Sequence, residues 1–208
     1  MIAIIDYGMG NLRSVEKALA YLGQLSEITD DPKRVLAADH VILPGVGAFR
    51  DAMTRLKDTG LADAAREVAR LKKPLLGICL GMQLLFEGSE EGGYHEGLGL
   101  LPGTVVRFPE MSLKVPHMGW NTLDTRDCVL FDGGLHPYVY FVHSYFMPDV
   151  SPEWTAATAT YGVPFTAVAQ RENVLGAQFH PEKSGEDGLD MLRRFAAWQP
   201  KREGERSC

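Results

Sequence analysis

Cysteine is scarce. Three occur in 208 residues, at positions 79, 128 and 208, odd in number and far apart. That count and spacing give neither a disulfide framework nor the CxxC pairs of a zinc site. Free thiols persist in reducing compartments, so a cytoplasmic setting is expected. Positive charge is not in excess: 21 Lys and Arg stand against 27 Asp and Glu, a formal net charge of -6. Without a basic stripe, nucleic acid is not an expected partner. Long apolar runs are missing too. Those present are broken by Gly, Pro or charge and are too short for a membrane span. The start, Met1-Ile2-Ala3-Ile4-Ile5-Asp6, lacks the basic residues and long apolar stretch of a signal peptide and reads as a first strand. His and acidic residues do not cluster at ligand spacing, so no metal is expected. No repeat, low-complexity segment or clear linker breaks the chain.

What is present suits one α/β domain with a sizeable core: 45% of residues are hydrophobic and 23% charged. Residues 2–5, 25–28, 40–43 and 75–78 read as strands. Residues 12–22, 50–57 and 61–71 read as helices between them, with a further helix start possible after Asp30-Asp31-Pro32. Alternation of this kind predicts a parallel sheet covered on both faces. After residue 87 the pattern changes. Residues 87–99 read as a Gly/Glu-rich loop. Residues 104–108, 113–115, 139–142, 155–161, 166–170 and 174–178 read as short strands, and 188–198 as a closing helix. The stretch "PGVGAF" after residue 43 reads on its own as a Pro-Gly turn.

One cysteine stands apart. The apolar run 75–78 leads straight into Cys79, and helix-like composition follows from Met82 to Phe86. The thiol is therefore placed where a strand becomes a helix. Ligands of open α/β sheets gather outside the carboxyl ends of the strands. Gly77-x-Cys79-x-Gly81 matches a nucleophile elbow, the tight turn that holds a reactive side chain out of the backbone. Glycines flanking it remove the Cβ atoms that would crowd such a turn. Backbone N–H dipoles at a helix start favour a thiolate, and the Leu80 N–H is placed to face an oxyanion. A lone cysteine is more often a small buried hydrophobe; the small residues on both sides weigh against that here.

A thiol nucleophile needs a base. Among six histidines, His180 ends an apolar strand in "LGAQFHPEKSG", and Glu182 follows two residues later. In an extended chain the two project to the same side. A carboxylate then orients an imidazole that takes the thiol proton and returns it to a leaving amine. Gln83, four residues after Cys79, shares its helix face.

The order Cys…His-x-Glu, with "GICLGMQ" and "FHPEKS" around it, resembles the class I glutamine amidotransferases. Six blocks, "DYGMGNLRSV", "LPGVGAF", "GICLGMQLLFE", "KVPHMGWN", "YFVHSY" and "QFHPEKSG", span residues 6 to 185. Together they resemble one branch, the glutaminase subunits of imidazole glycerol phosphate synthases in histidine biosynthesis. Anthranilate synthase relatives usually carry His where Met82 stands and "SPGPG" where this chain reads "LPGVG". The pyridoxal phosphate synthase glutaminase has Ala after its cysteine. Phe146 stands where Tyr is common in the branch.

The resemblance implies a flavodoxin-like α/β fold: a mostly parallel central sheet flanked by helices, with an extra antiparallel strand region. It places this domain over residues 1–199 and leaves 200–208 as a polar tail. It implies hydrolysis of glutamine to glutamate and ammonia through a thioester on Cys79, with His180 as proton carrier and Glu182 as its orienter. The oxyanion hole would combine the Leu80 N–H with one from "PGVG", at Val46 or Gly47, where Gly45 and Gly47 let a peptide rotate. Losing one such donor typically costs about 3 kcal/mol of transition-state stabilisation. Gln83, His143, Ser144 and Tyr145 would hold the substrate; apart from the resemblance, His143 reads as a satisfied core histidine. A (β/α)₈ cyclase subunit would be the partner in a heterodimer, using the ammonia to make imidazole glycerol phosphate and an aminoimidazole carboxamide ribonucleotide. Asn11, Met118, Trp120 and Lys183 fall in blocks near that interface. Trp120 reads equally as an interface anchor and as a core tryptophan. Thiol chemistry needs no cofactor. Another class I glutaminase or a free-standing γ-glutamyl hydrolase, and a non-catalytic binding module, are the competing readings. The presence of Cys79, His180 and Glu182 weighs against the module, and the joint occurrence of "GMQ", "PGVGAF" and "HMGWN" against the free hydrolase.

Overall fold

The computed structural model describes residues 1–148 and 150–200. Nearly all of the polar tail, from residue 201, and Cys208 with it, lies outside the described residues. The chain opens with β1 (Ile2–Ile5), α1 (Leu12–Tyr21), β2 (Ser26–Thr29), α2 (Pro32–Ala37), β3 (His40–Gly45), α3 (Phe49–Asp58), α4 (Leu61–Arg70), β4 (Leu75–Cys79) and α5 (Leu80–Leu85). Short strands follow: β5 (Phe86–Ser89), β6 (His95–Glu96), β7 (Leu101–Arg107), β8 (His117–Thr122), β9 (Asp124–Thr125), β10 (Tyr138–His143) and β11 (Tyr145–Phe146). The chain closes with β12 (Thr155–Tyr161), β13 (Val163–Arg171), β14 (Val174–Ala177), a 3₁₀ turn (Pro181–Lys183) and α6 (Gly185–Ala197).

An eight-stranded sheet in the order β2-β1-β3-β4-β14-β13-β12-β9 forms the centre. Its first five strands run parallel, and β13, β12 and β9 add to the edge antiparallel. β1, β3 and β4 are buried at every position, as strands covered on both faces must be, which is why they read as unbroken apolar runs. One face carries α3 and α4 through Phe49, Leu56 and Val68. The other carries α1 and α6 through Val15, Leu19, Leu192 and Phe195. α2 starts as its sequence suggests: the Asp31 carboxylate accepts from the Lys33 N–H at 2.8 Å, and Pro32 occupies the first turn.

The structure departs from the sequence reading in several places. Residues 87–99, read as a loop, contain β6 and most of β5, which join β7 and β11 in a four-stranded sheet. Residues 113–115, read as a strand, form none. The strand lies just beyond, at β8, which pairs antiparallel with β10. Its composition, His-Met-Gly-Trp-Asn-Thr, hides it, because one face of this two-stranded ribbon is solvated and lacks the apolar alternation of a core strand. β3 also runs two residues further than expected. Pro44 and Gly45 pair with Ile78 and Cys79 and continue the sheet instead of turning out of it.

Candidate active site

Cys79 ends β4 and begins α5. Its backbone stands at φ +55° and ψ -112°, a region that side chains with a Cβ seldom occupy. The strain falls on the cysteine itself, and the flanking glycines answer a different need. A Cβ on Gly81 would stand 1.8 Å from the Leu43 carbonyl oxygen, and one on Gly77 would meet the Gly81 carbonyl at 2.6 Å. Three backbone segments close on one another here, and only hydrogen fits between them. α5 is one and a half turns long, so its contribution to a thiolate comes from the free first-turn N–H groups more than from a long dipole.

Cys79, Leu80, Gln83, Val46, Gly47, His143, Ser144, Tyr145, His180 and Lys183 border a single cavity of about 350 Å³. Glu182 stands behind His180: its Oε1 lies 2.9 Å from His180 Nδ1, and both side chains are almost wholly buried. The same-side pairing predicted for an extended chain is reached differently. A 3₁₀ turn follows His180 and swings Glu182 back under the ring. The His180 backbone is held as well, its N–H donating to the Tyr140 carbonyl at 3.0 Å and its carbonyl accepting from Ser184 Oγ at 2.7 Å. Burial pulls the imidazole down, but the Cys79 sulfur and the Glu182 carboxylate beside it outweigh that and raise its pKa from 6.5 to about 9. A protonated His180 beside the Cys79 sulfur is the pairing that favours a thiolate nucleophile. Glu182 Oε2 is buried with no hydrogen-bond partner.

Gln83 is held rigidly. Its Nε2 donates to the Tyr145 carbonyl at 2.9 Å and to Gln178 Oε1 at 3.0 Å. Both amide hydrogens are spent, and Oε1 is what it offers a ligand. His143 is committed as well: Nδ1 donates to the Tyr145 carbonyl at 2.9 Å, and Nε2 meets His117 Nδ1 at 2.9 Å. Its ring thus has no nitrogen left for a substrate, and the segment 143–145 offers its backbone. Gly47, at φ +92°, and half-exposed Val46 form the loop across from Cys79.

Of the four residues assigned to a partner surface, Lys183 borders the cavity. Asn11 caps α1, its Oδ1 accepting from Ser14 Oγ at 2.8 Å. Met118 and Trp120 are 63% and 47% exposed. The core-tryptophan reading of Trp120 is thereby excluded: it stacks on Tyr138, itself 53% exposed, with centroids 5.5 Å apart.

Two side chains at the site escaped the sequence reading. Glu91 borders the cavity while its Oε2 accepts from the Phe49 N–H at 2.8 Å, at the start of α3. It comes from the Glu-rich stretch read as a plain loop, where no spacing marks one Glu over its neighbours. Tyr7 buries its hydroxyl without a partner, 2.6 Å from where a Gly45 Cβ would stand. Burial and the charge of Cys79 push that hydroxyl well above the ordinary tyrosine value. Among the described residues, no group of three or more His, Cys, Asp or Glu is placed to hold a metal ion. No helix there is long and apolar enough to cross a membrane.

Known proteins resemble this chain in sequence and in fold. The family model described as "Glutamine amidotransferase class-I" matches residues 3–198. A protein of Desulfitobacterium hafniense named "Imidazole glycerol phosphate synthase subunit HisH" is 54% identical over 200 residues, covering 95% of this chain and 94% of that one. A protein of Moorella thermoacetica with the same name is 56% identical over 197 residues, covering 93% of each. Among solved structures, one titled "Crystal structure of glutamine amidotransferase" superposes with a TM-score of 0.74 at 19% identity, over 94% of this chain and 97% of that one. That likeness speaks for the fold, and the closer relatives together with the family match speak for descent: the chain belongs to the class I glutamine amidotransferases.

Proposed function

We propose that this chain is the glutaminase subunit of an imidazole glycerol phosphate synthase. It hydrolyses glutamine to glutamate and ammonia and passes the ammonia to a cyclase partner in histidine biosynthesis. The observation that carries the reading is a strained Cys79 beside a buried His180–Glu182 pair, facing a cavity of about 350 Å³. The relatives' shared name supplies the pathway.

Glutamine enters with its side-chain amide against Cys79. The Cys79 sulfur, its proton resting on His180, attacks the amide carbon, forming a C–S bond and an oxyanion. The Leu80 N–H and an N–H from Val46 or Gly47 receive that charge. His180 gives its proton to the departing nitrogen, the C–N bond breaks, and ammonia leaves a γ-glutamyl thioester. Water, losing its proton to His180, attacks the thioester; glutamate leaves and the thiol is restored. Glu182 keeps the imidazole oriented through both proton transfers. Gln83 Oε1 and the Glu91 carboxylate accept from the substrate α-ammonium, and the backbone of 143–145 receives its α-carboxylate. Residues 1–199 act as one glutamine amidotransferase domain.

Ammonia protonates in water, so its use elsewhere requires a docked acceptor site. Trp120 and Met118 present exposed apolar surface on the β8–β10 ribbon. Cross-strand from Trp120, Tyr140 holds the His180 N–H with its carbonyl. A (β/α)₈ cyclase covering this ribbon would bury an aromatic anchor close to the chemistry. The test is glutamate release from glutamine by the purified chain, alone and then with the cyclase and its nucleotide ligand. Near-zero release alone and a large rise with both is the expected result. Full activity alone, unchanged by the cyclase, would make the chain a free-standing glutaminase.

A further inference from the structure

Behind the cavity runs a line of buried hydrogen bonds that the thiol chemistry leaves unused. The Tyr145 carbonyl can only accept, and it accepts twice, from Gln83 Nε2 and from His143 Nδ1. His143 Nδ1 therefore carries a hydrogen. Burial, partly countered by the Tyr145 carbonyl and reinforced by the charges of His117 and His180, holds His143 down at about 3; burial holds His117 at about 4. Both rings are neutral at pH 7. In a neutral imidazole protonated at Nδ1, Nε2 is an acceptor. Its neighbour, His117 Nδ1 at 2.9 Å, must then donate. The tautomers of both rings follow from one peptide oxygen.

His117 is well placed to impose this. Its ring is sandwiched between Tyr161, at 4.0 Å and 20°, and Phe141, at 4.7 Å and 24°. The Tyr161 hydroxyl is itself tied to the Lys114 carbonyl at 2.7 Å. The stacking fixes the direction in which Nδ1–H points. His117 does not border the cavity, yet its hydrogen bond ends on His143, which shares the Tyr145 carbonyl with Gln83.

We propose that His117 is a positioning residue for the glutamine site: by donating from Nδ1 to His143 Nε2 it fixes the orientation of the His143 ring, and through it the Tyr145 carbonyl and the Gln83 amide. The proposal rests on reading the cavity as a glutamine site. Without the donor, His143 Nε2 becomes a buried acceptor with nothing to accept. Moving its hydrogen to Nε2 brings no relief, because a bare Nδ1 then faces the Tyr145 carbonyl. Held at Nδ1 alone, the ring can tilt, which loosens the Tyr145 carbonyl and with it the aim of Gln83 Oε1. This support acts on the bound substrate and on the transition state alike, so its loss raises KM more than it lowers kcat.

Two variants separate this role from packing. His117→Phe keeps a flat ring in the aromatic sandwich and removes the donor. His117→Asn places an amide N–H near the position of Nδ1. In the complex with the cyclase and its ligand, His117→Phe is expected to raise KM for glutamine about tenfold, with kcat within about threefold of wild type. His117→Asn is expected to recover most of the affinity. Nitrogen-15 NMR of labelled histidines should show both rings protonated at Nδ1 in the wild type, and in His117→Phe a His143 Nε2 shifted as it stops accepting a hydrogen bond. An unchanged KM together with an unchanged His143 Nε2 signal would overturn the proposal. So would equal losses in the Phe and Asn variants that track a common fall in melting temperature. If the wild-type complex releases no glutamate from glutamine, the glutamine reading has failed, and the His143 Nε2 signal still decides whether His117 holds that ring.

Discussion

Cys79 holds a backbone conformation that costs of order 1–3 kcal/mol, and such strain persists only where the surroundings enforce it. Here they do: Val142 O lies 3.6 Å from the sulfur, and the cysteine is pinned between β4 and α5. Cys79→Ala removes the nucleophile without adding bulk, so glutamate release should vanish while co-elution with the cyclase on gel filtration persists. Residual turnover in that variant would mean another group attacks the amide. Tyr7 offers a contrasting residue-scale case. Its hydroxyl is buried without a partner, and an unsatisfied polar group of that kind costs about 1–3 kcal/mol. Tyr7→Phe should therefore raise the urea midpoint of the free chain, by about 1 kcal/mol in unfolding free energy. A lower midpoint would show that the hydroxyl is satisfied in solution.

At the scale of elements, the site depends on how closely β3, β4 and α5 approach. Gly45 lies opposite Cys79 in the sheet, and Gly81 presses its Cα against the Leu43 carbonyl. The obstructing atom is backbone, which no rotamer change can move aside. Gly81→Ala should cost about 3 kcal/mol or more in stability and remove activity with it, measurable by thermal melting and glutamate release together. A variant that melts normally would mean the helix can slide away from β3. The elbow was legible in the sequence because Gly-x-Cys-x-Gly at a strand end has few other uses. β8, one half of its ribbon with β10, was not: a solvated strand of His, Gly, Asn and Thr has no periodicity to read, and its pairing is decided by a partner strand about twenty residues away.

Three buried histidines shape the behaviour of the whole molecule with pH. His180 binds its proton more tightly folded than unfolded, its pKa rising from 6.5 to about 9. The stability it contributes is complete below 6.5 and is lost as the pH climbs through about 9. His117 and His143 are shifted the other way, to about 4 and about 3. What they contribute is present above 6.5 and is lost as the pH falls toward 4 and below, because the unfolded chain takes up protons that the folded one refuses. These groups together place maximum stability near pH 6.5. Urea midpoints at pH 5, 6.5 and 9 should be highest at the middle value, and His117→Phe should flatten the acid limb. A monotonic profile would show that other groups dominate.

The sequence by itself determined the alternation of the first half, the elbow and the His-x-Glu pair, because each is a local pattern: apolar runs, tight-turn glycines, residues two apart. It carried the family as well, since the blocks from residue 6 to 185 are contiguous strings. Only the tertiary structure decided that His180 and Glu182 meet through a 3₁₀ turn, that Glu91 reaches the cavity, that Trp120 faces outward, and that His143 is bound on both nitrogens. Each of these depends on atoms that approach from segments distant in sequence or from a turn whose path the residue types leave open. Such contacts are set by how the sheets and helices pack, and local residue patterns do not encode that packing.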